Sequence, residues 1–467
     1  MRPYRSENPA TGELYGEFPT IPAEEIPAAI ARAAEGYRRW RATTVADRAG
    51  VLKATADLIR ERQDELAALA TEEMGKPLAE ARGEVDLVAS IFEYYATQGP
   101  AMLDPEKLDP ASGDSARVQL EPVGVLLGIM PWNYPYYQVA RFAAPNLLLG
   151  NTLLLKHARN CPRSALAIEA VLHDAGVPAD AYLNLFADSS QVEAILSDDR
   201  VQGVSLTGSE QAGAAVGGLA GRLMKKMVLE LGGSDPFLVL DDADIESAAS
   251  AAVMGRMTNA GQACTASKRL IVTESVYDQF LKSLRDRVSA LIVGDPIDPQ
   301  TDMGPLSSAG AVDDLQQLVD DAVSHGADAI VGGSPLDGVG HFYPPTILTG
   351  VTPAARAYRE ELFGPVAVVY RVSDVDAAID LANDSPFGLG ASVFTSDLEA
   401  AEQIAARIDA GMVTINGSNK SQPDLPFGGV KRSGVGRELG RFGIEEFANK
   451  KLVRRPAMVK QAKKQAS

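Results

Sequence analysis

The stretch Gly124-Val125-Leu126-Leu127-Gly128-Ile129 runs directly into Met130-Pro131-Trp132-Asn133-Tyr134-Pro135. Six residues with no charge and no apolar–polar alternation fit a strand buried on both faces, and the prolines that follow end it. The pattern repeats toward the C-terminus. Thr152 to Lys156 is a second such strand, with a helix over Ser164 to His173 behind it. Tyr182 to Phe186, Gly203 to Thr207 and Lys226 to Glu230 continue it. A second series runs through Phe237 to Leu240, Arg269 to Thr273, Val366 to Tyr370 and Ala391 to Phe394. Non-alternating strands separated by helices predict parallel sheets covered on both faces. The fold class is therefore α/β, with two doubly wound lobes.

Upstream the style changes. Ile26 to Arg41 and Val45 to Glu73 carry Ala, Leu and Ile at helical spacing. Near Met102, Asp104-Pro105, Asp109-Pro110 and Gly113-Asp114 mark turns, and Ala116 to Leu120 alternates as a strand does. This is a short β excursion between helical and α/β regions. No repeat at solenoid periods is present.

The chain has 467 residues, 46% hydrophobic and 23% charged, which is ordinary globular composition. Forty-four Lys and Arg against 62 Asp and Glu give a net charge of −18. So acidic a chain gains nothing from counterion release on nucleic acid and is repelled by anionic membrane surfaces. No apolar run is long enough for a membrane span, and the N-terminus lacks the apolar core of a signal peptide. Two cysteines, Cys161 and Cys264, make no disulfide framework. A cytoplasmic setting is expected. The four histidines have no metal-binding spacing, no close cysteine pair exists for zinc, and neither a Gly-x-Ser-x-Gly elbow nor a phosphate loop ending in Gly-Lys-Ser/Thr occurs.

Several residues carry chemistry or a plainer role. Cys264, in Asn259-Ala260-Gly261-Gln262-Ala263-Cys264-Thr265, is a nucleophile or a small core residue. Glu230 ends a buried strand before Leu231-Gly232-Gly233, where a carboxylate is paired, caps a helix or serves as a base. Asn133 follows the first strand at the sheet edge where ligands gather, as an oxyanion donor or a turn residue. Gly208-Ser209 opens a helix after the Gly203 strand, which suits a pyrophosphate or a simple N-cap. Lys156 ends its strand within reach of a ribose or phosphate, or snorkels at the edge. Gly434-Val435-Gly436-Arg437-Glu438-Leu439-Gly440 fails as a dinucleotide fingerprint, since its third glycine is one place late and no buried strand precedes it.

Taken together, the motifs resemble those of the NAD(P)-dependent aldehyde dehydrogenase superfamily over nearly the whole chain. They are Pro131-Trp132-Asn133-Tyr134-Pro135, Leu229 to Gly233, Gly261 to Cys264, Glu361-Leu362-Phe363-Gly364-Pro365, Asn383-Asp384 with Gly388-Leu389, and Pro426-Phe427-Gly428-Gly429. The resemblance implies two doubly wound α/β lobes and a small β oligomerisation element. It implies Cys264 as nucleophile, Glu230 as general base and Asn133 as oxyanion donor. Cofactor contacts are implied for Ile129, Pro131, Trp132, Lys156, Arg159, Gly208, Ser209, Leu231, Glu361 and Phe363. No metal is implied.

Within that superfamily the chain is most similar to the short succinate-semialdehyde dehydrogenases. The expected reaction is oxidation of a small carboxylated aldehyde, succinate semialdehyde first, to its acid through a cysteine thioester. The alternatives are a broad aldehyde dehydrogenase without carboxylate preference and an inactive binding protein on the same fold. Retention of Cys264 and Asn133 argues against the inactive protein, and Glu230 argues against a CoA-forming relative. Arg141, eight residues after Asn133, and Ser421, five before Pro426, match substrate-carboxylate ligands. There are departures. A second carboxylate-binding arginine is Thr258 here, with Lys420 a candidate to take its place. Phe142 replaces a lysine assigned to proton relay, while Glu438 of that relay remains. Arg159 stands where NAD-preferring relatives carry glutamate, so NADP is expected to be preferred, with NAD also used.

The implied division is a cofactor-binding domain of residues 1–101 and 124–232, rejoined by 433–449, and a catalytic domain of 233–432. Residues 102–123 and 450–458 form the oligomerisation element, and 459–467 a basic tail. A homodimer, or a tetramer built from two, is expected.

Overall fold

The computed structural model describes residues 3–456. The basic tail and residues 457–458 of the expected oligomerisation element lie outside them.

The first sheet has six strands, in spatial order Gly434–Val435, Lys226–Glu230, Val201–Thr207, Val125–Ile129, Thr152–Lys156 and Tyr182–Asn184. All pair in parallel except the Gly434–Val435 edge, which runs antiparallel to Lys226–Glu230. The chain order reverses at Val125–Ile129, which pairs with Thr152–Lys156 on one side and Val201–Thr207 on the other. Such a switch point opens a crevice at the carboxyl ends of the strands. Residues 130–135 and 208–209 follow those ends.

The second sheet has seven strands, in order Asp328–Val331, Thr346–Thr349, Val366–Val372, Ser267–Thr273, Asp235–Val239, Gly390–Phe394 and Met412–Ile415. Only the Asp328–Val331 edge is antiparallel. A third, three-stranded sheet pairs Ala448–Arg455 with Ser115–Pro122 over eight residues and Ser115–Pro122 with Glu106–Leu108.

Burial follows the apolar stripes. The helix Ile26–Trp40 buries Ile26, Ile30, Ala33 and Trp40, and the Trp40 indole donates to the Leu147 carbonyl at 2.9 Å. A fully buried Ile or Leu of this kind is worth roughly 1.5–3 kcal/mol. The helix Tyr137–Leu149 is buried along its whole length, packed beneath the first sheet with Val45–Glu61 and Leu78–Thr97. That burial places Tyr137, Gln138 and Arg141 behind the site. No helix among the described residues is long and apolar enough to cross a membrane.

The structure departs from expectation in three places. The helix expected over Val45 to Glu73 divides at Arg62, whose φ of −99° and ψ of 21° leave the helical region. The first hundred residues also hold a small antiparallel pair, Tyr4–Glu7 with Leu14–Phe18. The strands Asp328–Val331, Thr346–Thr349 and Met412–Ile415 were not anticipated. The first is mostly exposed and the last only half-buried, so neither shows a continuous buried run.

Candidate active site

Cys264 follows a turn, Thr258–Gly261, in which Asn259 (φ 55°) and Ala260 (φ 50°) are both left-handed. That region costs a non-glycine residue about 1–3 kcal/mol, and a dense set of bonds holds it. The Asn259 amide donates to the Asn133 carbonyl at 2.9 Å, and the Asn259 backbone N–H donates to the Glu80 carboxylate at 2.8 Å. Buried Arg256 donates to the carbonyls of Gly261 (3.2 Å), Leu362 (2.8 Å) and Val366 (2.7 Å). The nucleophile segment is thereby tied to the loops carrying Asn133 and Glu361. The Asn133 side chain donates to the Gln262 carbonyl at 2.9 Å, which orients it and leaves its second N–H for a ligand.

Two cavities meet at Cys264. One, of about 300 Å³, is lined by Pro131, Trp132, Asn133, Gly208, Ser209, Glu230, Leu231, Glu361 and Phe363, together with Cys264. The other, of about 460 Å³, is lined by Tyr134, Tyr137, Thr258, Cys264, Lys420, Ser421 and Phe427, among others. Gln138 also faces both. Ser209 caps the Glu210–Arg222 helix, accepting from the Ala212 N–H at 3.3 Å, so the first cavity has a helix N-terminus at its wall, where anions are favoured. Trp132 and Phe363 meet edge to face across it at 5.9 Å. Gly233 is required here, since a Cβ on it would lie 2.5 Å from the Cys264 carbonyl, and a Cβ on Gly232 would displace the Glu361 carboxylate.

Three expected cofactor residues, Ile129, Lys156 and Arg159, are not in this lining. They continue along the same sheet edge. Ile129 and Lys156 are register partners, and the Arg159 guanidinium is ion-paired with Asp188. Burial, and secondarily Arg159, pushes the Lys156 ammonium down to about 8.

Arg141 sits on the buried helix Tyr137–Leu149, behind the cavity walls. It lines neither cavity. Its buried guanidinium meets Glu438 at 2.8 Å, donates to Gln138, and donates at 3.4 Å to the Tyr137 hydroxyl and the Thr207 hydroxyl, which line the larger and the smaller cavity respectively. Ser421 does line the larger cavity, where its Oγ accepts from the Tyr137 hydroxyl at 2.5 Å.

The electrostatics set the resting state. Burial raises the Cys264 thiol to about 12, against the opposing pull of Arg141 and then Lys268, so it rests protonated near neutral pH. Glu230 is buried, and neither of its oxygens meets a hydrogen-bond donor of the described chain. Burial first, and then the Glu438 charge, raises its carboxyl well above the usual range, while Arg141 opposes.

Some of these contributors were not anticipated. Lys268 donates to the carbonyls of Ala263 and Cys264 and pairs with Glu361, each at 2.9 Å. Its signal was Lys268-Arg269, two adjacent cations inside a strand buried throughout. Glu80 and Gln138 carried no comparable signal, since each sits in an ordinary helical pattern.

The family model described as the aldehyde dehydrogenase family matches residues 2–453. A protein named succinate-semialdehyde dehydrogenase [NADP(+)] from Deinococcus radiodurans is 56% identical over 453 residues, covering 97% of this chain and 95% of that protein. One from Mycobacterium ulcerans is 48% identical, covering 97% and 99%. The crystal structure of succinic semialdehyde dehydrogenase from Streptococcus pyogenes in complex with NADP+ superposes with a TM-score of 0.95 at 42% identity, covering 97% of this chain and all of that one.

Proposed function

The chain belongs to the aldehyde dehydrogenase family, and from that premise we propose that it oxidises succinate semialdehyde to succinate with NADP, through a thioester on Cys264. The observation that carries this reading is Cys264 at the junction of two cavities, with buried, unpartnered Glu230 in the wall of one. The substrate follows the relatives named above. A panel of carboxylated and uncharged aldehydes, followed by the appearance of NADPH absorbance, tests it. Succinate semialdehyde should give the highest kcat/KM.

In the mechanism Cys264 gives up its thiol proton to water and the thiolate adds to the aldehyde carbon. The Asn133 amide and the Cys264 backbone N–H stabilise the oxyanion, one such donor being worth about 3–4 kcal/mol in other oxyanion holes. The bound nicotinamide supplies the hydride acceptor, which leaves a thioester on the sulfur. Glu230 then takes a proton from water, the water oxygen attacks the thioester carbon, the C–S bond breaks, and the acid leaves Cys264 free. Seven residues of the 300 Å³ cavity, Pro131, Trp132, Gly208, Ser209, Leu231, Glu361 and Phe363, would hold the cofactor. The helix N-terminus at Ser209 fits its pyrophosphate, and Lys156 with Arg159 fits the ribose end.

The cation pair also bears on the choice of cofactor. A charge-assisted bond to a 2′-phosphate is worth about 1.5–3 kcal/mol. Arg159→Glu should therefore shift the ratio of kcat/KM values toward NAD by about tenfold or more, mostly through KM. An unchanged NADP/NAD ratio would place the choice elsewhere.

The division into a cofactor-binding domain, a catalytic domain and a β element is carried forward as part of this reading. Ala448–Arg455 is a long, mostly exposed edge strand, with Leu452 58% exposed. Unpaired edges of that length recruit other strands, and we assign it to pairing between copies in a dimer or a tetramer of dimers. Light scattering that gave the mass of one chain at micromolar concentration would refute this. A catalytic thiol suits a reducing compartment, the cytoplasm, which cell fractionation tests.

A further inference from the structure

Lys268 lies in the strand Ser267–Thr273, which is buried throughout. Among the described residues it has no register partner on either side. Pairing with Asp235–Val239 jumps from Asp235 opposite Ser267 to Pro236 opposite Arg269, and pairing with Val366–Val372 begins at Arg269. A residue left out of a ladder in this way has its side chain re-aimed. Here the side chain, 1% exposed, carries its ammonium back to the turn that holds the nucleophile.

An ammonium has three N–H bonds to place, and burial makes an unplaced one costly. Lys268 Nζ meets three oxygens at 2.9 Å: the Ala263 carbonyl, the Cys264 carbonyl and the Glu361 carboxylate. The Ala263 carbonyl also accepts the Ala266 N–H at 3.2 Å, which closes a turn around Cys264.

The Ala263 carbonyl and the Cys264 N–H are the two ends of one peptide unit. A charged donor on the oxygen strengthens the N–H as a donor, because hydrogen bonds in a chain polarise one another. It also fixes the plane of the peptide, and with it the direction of the N–H. That N–H meets no acceptor within the described chain. It is the backbone donor to the oxyanion in the mechanism above, so its direction and strength bear on the addition step.

We propose that Lys268 is a positioning residue that aims and polarises the oxyanion-binding N–H of Cys264 through the Ala263 carbonyl, with Glu361 anchoring the ammonium from the cofactor side. The inference rests on the assignment of Cys264 as nucleophile. Lys268 also acts on the sulfur directly. Its charge and that of Arg141 favour the thiolate, against burial, Glu361 and Glu230. The two effects separate chemically, since alkylation needs the thiolate alone, whereas acylation passes through a tetrahedral oxyanion.

The test compares wild type, Lys268→Met and Lys268→Gln, free of cofactor, with two probes of the same sulfur. Iodoacetamide alkylates it, and p-nitrophenyl acetate acylates it with release of p-nitrophenolate. Lys268→Met should slow acylation about ten- to a hundredfold more than it slows alkylation, a part of what deleting a whole oxyanion donor costs. Lys268→Gln, neutral but still a donor, should match Lys268→Met in alkylation and lie between it and wild type in acylation. A cooperative thermal transition reports that each variant is folded. If Lys268→Met does not fold, Lys268→Gln against wild type is read by the same excess. Equal losses with both probes would confine Lys268 to its charge on the sulfur, and no loss with either would leave it a packing residue; both overturn the proposal while Cys264 stands as nucleophile. If the acetyl group of wild type maps to a residue other than Cys264, the assignment of the nucleophile falls and this inference with it.

Discussion

Replacing Cys264 by alanine is expected to abolish dehydrogenase turnover, by roughly 10⁴-fold or more on the scale of other nucleophile deletions. Binding of NADPH, followed by its fluorescence, should survive, because the other residues lining the 300 Å³ cavity are untouched. Turnover at wild-type rate would remove Cys264 from the mechanism. The protonation state can be read at the same residue. With the thiol raised to about 12 by burial, only a small fraction is thiolate at neutral pH. Alkylation of the cofactor-free enzyme by iodoacetamide should therefore keep accelerating from about pH 7 to 10, and a plateau below that range would contradict the assigned environment. Cys161, fully buried, should stay unlabelled.

Glu230→Gln should separate the two halves of the reaction. Bond formation at Cys264 and loss of hydride do not need the Glu230 carboxylate, so a burst of NADPH should persist. Thioester hydrolysis loses its base and should slow by about 10²–10⁴-fold. The pH dependence follows from sign. A base works when ionised, and burial raises the Glu230 carboxyl. Wild-type hydrolysis should fall as pH drops through that raised value, and the glutamine variant should lose this limb. A variant with no burst would move Glu230 to an earlier step.

How far the sequence could be read depends on distance along the chain. Val125–Ile129 was legible because burial on both faces writes an unbroken apolar run into five consecutive residues. Asn133, Glu230 and Cys264 were each ambiguous alone, and only the joint motif pattern singled them out. The ion pair of Arg141 was not legible, for a physical reason. Its partner Glu438 lies almost three hundred residues away and arrives on the segment that returns beside the first sheet, next to the Gly434–Val435 edge strand. No local spacing announces such a pair. The Lys268–Glu361 pair and the Glu80 bond to Asn259 were hidden in the same way. The split at Arg62 is a different case: both helices share one amphipathic style, and a single residue off the helical region divides them.

The thioester on Cys264 is the central claim, and trapping it is the most direct measurement. Glu230→Gln enzyme would be mixed with succinate semialdehyde and NADP, quenched in acid during the burst, digested and mapped by mass spectrometry. The account predicts a succinyl group on the peptide carrying Cys264, in proportion to the NADPH formed, and none on the peptide carrying Cys161. A full burst with no acyl group on Cys264, or with the acyl group on another residue, would contradict it.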